Sequence, residues 1–327
     1  DGQFGDGTIS GGWIDAGDPF GARLPGPALA SRETAWCRVR ARTERGVTGW
    51  SAPLRIEGGL FHAADWIARP ISPVFNRDRA EPAPAVILRK AFAIAASVRS
   101  ARLYVTALGV QECRINGKPV SPDLLEPGWT AYDGRLTHAA YDVAELIGVG
   151  ENVLSAEVAD GWWRGNLTWI PRRAVYGATT ALLAQLELVH ADGRRETIAS
   201  DESWRGSTGE LREADLYNGC VIDLASDPLG WRLPGFDDTG WSPVVALPLP
   251  AGLEQRAMPP VREVMRFDLA WEPRADGTFR VDCGQNLTGY LRIHVEARGE
   301  CAMTVRHAEV LESDGALHTA ALRTARA

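Results

Sequence analysis

The sequence predicts an all-β protein, and three observations carry that prediction. No window repeats apolar residues at i, i+3, i+4 and i+7 over three turns, so long amphipathic helices are missing. Short alternating runs closed by Asn-Gly or Asp-Gly recur instead, the pattern of half-buried strands joined by tight turns. The chain of 327 residues also holds 34 glycines and 20 prolines, turn formers at the density that many short strands require.

Taken in order, residues 1–58 read as a small β-module. Residues 34–41 alternate, with Arg38 and Arg40 on the solvent face between apolar positions. Gly49-Trp50-Ser51-Ala52-Pro53 then leads into Leu54-Arg55-Ile56. A strand rich in aromatic residues and Val, a Gly turn and W-S-x-P before a last strand resemble the end of a fibronectin type III domain, here truncated at its front. Residues 59–85 read as a connector, because Pro70, Pro73, Pro82 and Pro84 forbid a regular helix.

Residues 86–250 carry the main domain. Runs 86–92 and 101–107 alternate, and Cys113-Arg114-Ile115 enters Asn116-Gly117, a type I′ hairpin signal. Residues 182–190 and 196–198 flank Asp192-Gly193 as a second hairpin. Residues 141–147 are the best short helix, ending before Gly148 and Gly150. Phe236-Asp237-Asp238-Thr239-Gly240-Trp241 is a turn that pins Trp241. Many closely spaced strands with Gly-rich ends predict a jelly-roll (galactose-binding-like) sandwich. Residues 251–327 begin a further β-sandwich: 279–283, 290–295 and 303–311 alternate, and no closing strand follows, which would leave an unpaired edge.

The totals exclude several classes. A net charge of −7 argues against a nucleic-acid binder, which shows a basic face. No apolar run is long enough to span a bilayer, so no membrane partner is expected. The five cysteines are odd in number, widely spaced and never C-x-x-C, which disfavours a disulfide scaffold or a metal framework. A reducing compartment follows as the simpler assumption, and with no signal-peptide layout at the start the expected location is cytoplasmic.

One stretch stands apart. Residues 160–169 place Trp162, Trp163 and Trp169 within eight positions, beside Asp160, Arg164 and Asn166. A flat ring with hydrogen-bonding groups at its side suits a sugar, whose C–H face stacks while its hydroxyls are held. The competing reading is that Asp160 pairs with Arg164 while Trp163 and Trp169 pack beneath the loop. Both stay open on sequence.

The order of several segments carries a family resemblance. They are Gly128-Trp129-Thr130-Ala131-Tyr132, Tyr141-Asp142-Val143, Gly150-Glu151-Asn152-Val153-Leu154, Asp160-Gly161-Trp162-Trp163-Arg164-Gly165 and Asp201-Glu202-Ser203-Trp204. Phe236 to Trp241, Asp282-Cys283-Gly284-Gln285-Asn286 and Arg306-His307-Ala308-Glu309 continue the series. Together they resemble the N-terminal β-domains of bacterial α-L-rhamnosidases (glycoside hydrolase family 78), with Cys283 where the family has Phe.

The resemblance implies an (α/α)6 catalytic barrel beyond this stretch, which hydrolyses terminal α-L-rhamnose with inversion, and a non-catalytic role for the β-domains. Asp160, Asp215, Asp223, Glu309 and Glu312 are catalytic candidates by residue type alone, and no pairing of them follows from sequence. No catalytic residue is therefore expected. Jelly-rolls of this family bind terminal rhamnose, in some members with calcium. The carbohydrate-binding residues expected here are Asp160, Trp162, Trp163, Asn166, Asp215, Tyr217 and Asn218. No cofactor is required; Ca²⁺ would take oxygens from Asp160, Asn166, Asp215 and Asn218. The expected partners are rhamnose-containing glycosides or oligosaccharides and the catalytic barrel. The alternative is a structural or oligomerisation scaffold that binds nothing.

Overall fold

The computed structural model describes residues 4, 8–15, 26–79, 81–168, 172–323 and 325–326. It is nearly all β, as the turn-rich composition requires. The front module pairs β1 (Thr34–Cys37) with β4 (Leu54–Glu57), and β2 (Arg42–Thr43) with β3 (Gly46–Val47). Its described residues before Gly58 include none that is buried, so it has no core of its own. Ion pairs fasten it instead: Arg32 grips Glu187 at 2.6 Å and Asp65 at 2.8 Å, and Arg102 grips Glu57 at 2.8 Å.

The main body is built from β5 (Ile71–Pro73), β6 (Val86–Ile94), β7 (Val98–Leu108), β8 (Val110–Ile115), β9 (Lys118–Pro119), β10 (Arg135–Asp142) and β11 (Gly150–Ala159). After helix α1 (Gly161–Arg164) come β12 (Ala181–His190), β13 (Arg195–Ala199), β14 (Arg205–Thr208), the hairpin β15 (Leu211–Asp215) and β16 (Gly219–Ile222), then β17 (Ser242–Ala246) and β18 (Gly252–Gln255). Hydrogen bonds run in the order β18-β10-β7-β12-β5-β17-β14-β6-β11-β8-β9, with β13 beside β12. The path folds into two layers at β17. Its start, Ser242 and Pro243, pairs with β14, while Val244 to Ala246 pair with β5. One strand serving both sheets closes that side of the sandwich.

Side chains that alternate along the strands meet between the layers. Leu88, Phe92 and Ile94 of β6 and Leu154, Ala156 and Val158 of β11 share one core with Leu103 and Val105 of β7 and Leu182, Ala184, Leu186 and Leu188 of β12. Trp204 is fully buried there, its Nε1–H donating to the Ala199 carbonyl at 2.9 Å. The Asn116-Gly117 turn takes the two left-handed conformations of type I′, φ 51° and 79°. Trp241 sits against Phe236 and Trp231, and buried Arg89 ties this arch to the sheet through the carbonyls of Trp231, Leu233 and Phe236 and the Asp238 carboxylate.

Four sequence expectations are corrected. The helix expected over 141–147 is the end of β10 and a single turn of 3₁₀ helix at Ala144–Leu146, because Tyr141 and Asp142 are taken by the ladder to Leu103 and Arg102. The connector contains β5, whose Ile71 pairs with both Leu182 and Ala246. The sandwich also continues past residue 250, since β18 pairs in parallel with β10. Beyond it, β19 (Glu272–Pro273) and β20 (Phe279–Arg280) form one short hairpin. Residues 290–295 and 303–311 make no ladder among the described residues, which offer their apolar positions neither a second sheet nor a core.

Candidate functional site

The stretch 160–168 lies at one end of the sandwich, where β11 runs into α1. Gly161 makes the corner with φ +52°, and a Cβ there would meet Val110 Cγ2 at 2.5 Å, so a side chain is excluded on two grounds. Trp169 falls outside the described residues.

Beneath the corner lies a buried ionic network. Asp160 is 3% exposed and accepts from Arg164 Nε at 2.6 Å and from Arg173 at 2.5 Å. Arg164 is itself fully buried and also donates to Asn76 Oδ1 at 2.7 Å. Arg173 reaches on to Asp215 at 2.8 Å. Asp215 further accepts from the backbone N–H of Asn166 (2.9 Å), Tyr217 (2.9 Å) and Asn218 (3.1 Å), and from the Asn166 side chain at 3.0 Å. Burial by itself raises the pKa of Asp215; the N–H groups of Asn166, Tyr217 and Asn218 outweigh it and hold the carboxyl below its ordinary range. Two carboxylates facing two guanidinium groups form a cluster with no net formal charge.

Above it stand the aromatic rings. Trp163 is buried, donates Nε1–H to the Thr179 carbonyl at 2.9 Å and lies edge-on to Tyr132 at 5.6 Å. Gly177 presses so close that a Cβ would strike its ring at 2.3 Å. Trp162 is half-buried and parallel to Trp129, 6.4 Å between centroids and 7° between planes. Trp129 is 57% exposed, and its Nε1–H points to the Tyr176 hydroxyl at 3.4 Å. Tyr176 packs edge-on to buried Tyr132 at 4.9 Å. Trp162 thus packs on a floor of Tyr132, Trp163 and Leu136, and Trp129, parallel to it, stands at the exposed rim.

Of the seven residues singled out from sequence, Asp160, Asn166 and Asp215 meet in the network, and Trp163 belongs to the floor. Trp162 faces the rim, while Tyr217 (41% exposed) and half-buried Asn218 sit at the turn of the β15–β16 hairpin. The residues expected to hold calcium are engaged with one another. Ca²⁺ needs six to eight oxygen ligands, but both carboxylates here are occupied by arginines, and Asn166 and Asn218 turn N–H groups toward Asp215. No group of three or more metal-ligating side chains occurs among the described residues.

Sequence reasoning missed Trp129 as a site residue, because nothing local links it to position 162. Its signal was the turn before it, where Gly128 takes φ +84° and lifts the ring to the surface. Two of the three remaining acidic candidates make local contacts, and Glu309 is exposed. Asp223 accepts from Ala225 N–H and the Ser226 hydroxyl, and Glu312 holds His318 at 2.6 Å.

The matches to known proteins follow this architecture. The chain fits the α-L-rhamnosidase N-terminal domain over residues 96–265, the bacterial α-L-rhamnosidase concanavalin-like domain over 273–327, and the Rha78A-like N-terminal immunoglobulin domain over 5–62. That series defines the class: the N-terminal β-domains of α-L-rhamnosidase-type glycoside hydrolases. The chain belongs to the α-L-rhamnosidase family.

It is 41% identical over 234 residues to an α-L-rhamnosidase of Streptomyces avermitilis, covering 70% of this chain and 22% of that protein. To one of Formosa agariphila it is 31% identical over 314 residues, covering 92% and 34%. Among solved structures, the native α-L-rhamnosidase of Aspergillus terreus superposes with a TM-score of 0.83 at 35% identity, covering 92% of this chain and 36% of that one. The Streptomyces avermitilis enzyme complexed with L-rhamnose gives 0.83 at 25% identity, covering 92% and 46%. The chain therefore spans about a third or less of the length of these curated relatives.

Proposed function

We propose that this chain forms the front of an α-L-rhamnosidase and has two tasks, recognition of rhamnose-containing glycosides on its sandwich and support of the catalytic domain. In this reading the whole enzyme removes terminal α-L-rhamnose with inversion, by a general acid and a base-activated water in a separate barrel. The observation that carries recognition is the pair Trp129 and Trp162 at the rim, with the Tyr176 hydroxyl beside them. A deoxy sugar offers a methyl group and a C–H face to such rings, and hydroxyls to polar groups at their side. The buried ions below serve as foundation: they fix the corner that presents Trp162 and leave no carboxylate for proton transfer.

Titration with L-rhamnose tests this. Wild type is expected to bind at millimolar sugar, and Trp162→Ala to lose about tenfold or more, of order 1.4 kcal/mol. Calcium and chelator are expected to change nothing, since the carboxylates are paired. Absence of binding by wild type at millimolar sugar removes the recognition task. No turnover of an aryl α-L-rhamnoside is expected from this chain; measurable turnover would overturn its non-catalytic assignment. A purely scaffolding role is the second reading, supported by exposed apolar residues such as Val264, Phe279 and Tyr290 after β18.

A further inference from the structure

The front module holds a feature that neither task uses. Phe4, Arg38, Trp50, Arg40, Trp13 and Arg42 stack in that order, ring against guanidinium. Arg38 lies 4.3 Å from the Phe4 ring centre and 4.8 Å from Trp50. Arg40 lies 4.6 Å from Trp50 and 5.1 Å from Trp13, and Arg42 lies 4.3 Å from Trp13. The backbone explains the order. Val39 and Ala41 turn their backbone to the returning segment, and Arg38, Arg40 and Arg42 alternate with them. The returning segment pairs with them through Thr48 N–H to Ala41 O and Ser51 N–H to Val39 O, which brings Trp50 between two arginines.

Stacking occupies the flat faces of a guanidinium and leaves its in-plane N–H donors unspent. Among the described residues, none of these three side chains has a carboxylate or carbonyl partner. Arg45 at the adjoining turn extends the row, so positions 38–45 carry four arginines against Glu44, in a chain of net charge −7. Successive arginines on one face of an extended segment recur about every 7 Å. The rings fix their rotamers, which reduces the ordering cost of each new hydrogen bond.

We propose that this arginine ladder docks an acidic polysaccharide, the carboxylates of its uronate residues accepting from Arg38, Arg40 and Arg42. A regular row of cations matches a polymer with repeated anions better than a single anion, because each further contact is intramolecular. The choice of a glycan among polyanions rests on the reading of the chain as a rhamnoside-recognising protein; the charge argument stands without it.

Affinity electrophoresis of the whole chain in gels containing polygalacturonate, which has no rhamnose, tests the proposal. Polygalacturonate is expected to retard the protein and neutral dextran to leave it unretarded, the affinity weakening about 20- to 40-fold between 50 and 200 mM salt, as a three-contact polyanion site implies. Arg38→Gln/Arg40→Gln/Arg42→Gln is expected to abolish retardation. Because the ladder also orders the module, Arg42→Gln alone, at the end of the stack, serves as the milder variant. It is expected to bind several-fold more weakly with an unchanged melting curve. The proposal is overturned if wild type is not retarded, if dextran retards it equally, if both variants bind as wild type does, or if a DNA duplex binds more tightly than polygalacturonate. Trp162→Ala is expected to be retarded like wild type. Failure of L-rhamnose binding and failure of polyuronate binding are therefore separate results.

Discussion

Arg164 is a cation with no exposure to water, and fixed acceptors hold it. Asp160 takes Nε, and Asn76 takes NH1 while donating its own amide to Ser72 and Thr180. Removing Arg164 leaves Asp160 with Arg173 alone and the buried Asn76 Oδ1 without that donor, and breaking a buried ion pair costs about 3–5 kcal/mol. Arg164→Ala is accordingly expected to lower the unfolding free energy by about that amount, read as a shift in urea midpoint. A loss below about 1 kcal/mol would mean that water reaches the site. The i, i+4 spacing made Asp160–Arg164 legible in the sequence. Asn76, 88 positions away, and Asp215, 49 positions from Asn166, were not legible as partners, because only the closure of the sandwich brings them there. The pairing of Asp160 and Asp215 with Arg173 is visible only in the fold.

At the scale of the element, β10 shows which force decided. Its sequence suited a short helix at 141–147, but a three-residue turn cannot offset the cost of helix nucleation, while the ladder to β7 and the parallel contact with β18 were available. The hairpin at Asn116-Gly117 was legible because its information is local; β5 and β18 were not, since short strands are defined by distant partners. Within β10, His138 is fully buried, edge-on to Trp66 at 5.0 Å, and both ring nitrogens lack a hydrogen-bond partner.

Burial pushes the His138 imidazole down to about 4, opposed by a weak backbone contact at Glu254. The unfolded chain takes up this proton below its ordinary value of 6.5, the folded chain only near 4. Stability present above pH 6.5 is therefore lost as the pH falls through that window, by about 3 kcal/mol in total. Burial raises the carboxyls of Glu126 and Glu157, which act in the opposite sense. The measurement is thus the difference between wild type and His138→Phe in urea midpoint, at pH 7 and pH 4.5. Wild type is expected to lose more stability on acidification than the variant; equal losses would place water on the ring.

At the scale of the whole molecule, the fold divides into a closed sandwich and an open unit that follows it. The family's segments were legible in their order along the chain, but the sequence did not show that alternation in 290–295 and 303–311 finds no ladder among the described residues. The boundary is ionic: Arg256 joins Asp123 at 2.9 Å and also pairs with Glu126, Arg262 joins Asp123 at 2.6 Å, and Leu124 bridges Val261. Past these ties, Phe267, Trp271, Phe279, Tyr290, Val295 and Val310 are all more than a third exposed. Apolar surface of that extent marks a contact region rather than a finished face.

A chain ending at residue 265 keeps β18 and every one of those ties. It is expected to melt at the same temperature as the whole chain by near-ultraviolet circular dichroism, since Trp204 and the inter-sheet core are untouched. It is also expected to bind far less of a dye that reports exposed apolar surface. If the truncated form melts several degrees lower, a shift that corresponds to about 1–2 kcal/mol for a domain of this size, the open unit stabilises the sandwich and the boundary lies elsewhere. If dye binding is unchanged, the exposed apolar surface belongs to the sandwich or the front module, and residues 266–327 are not the face on which a catalytic domain would rest.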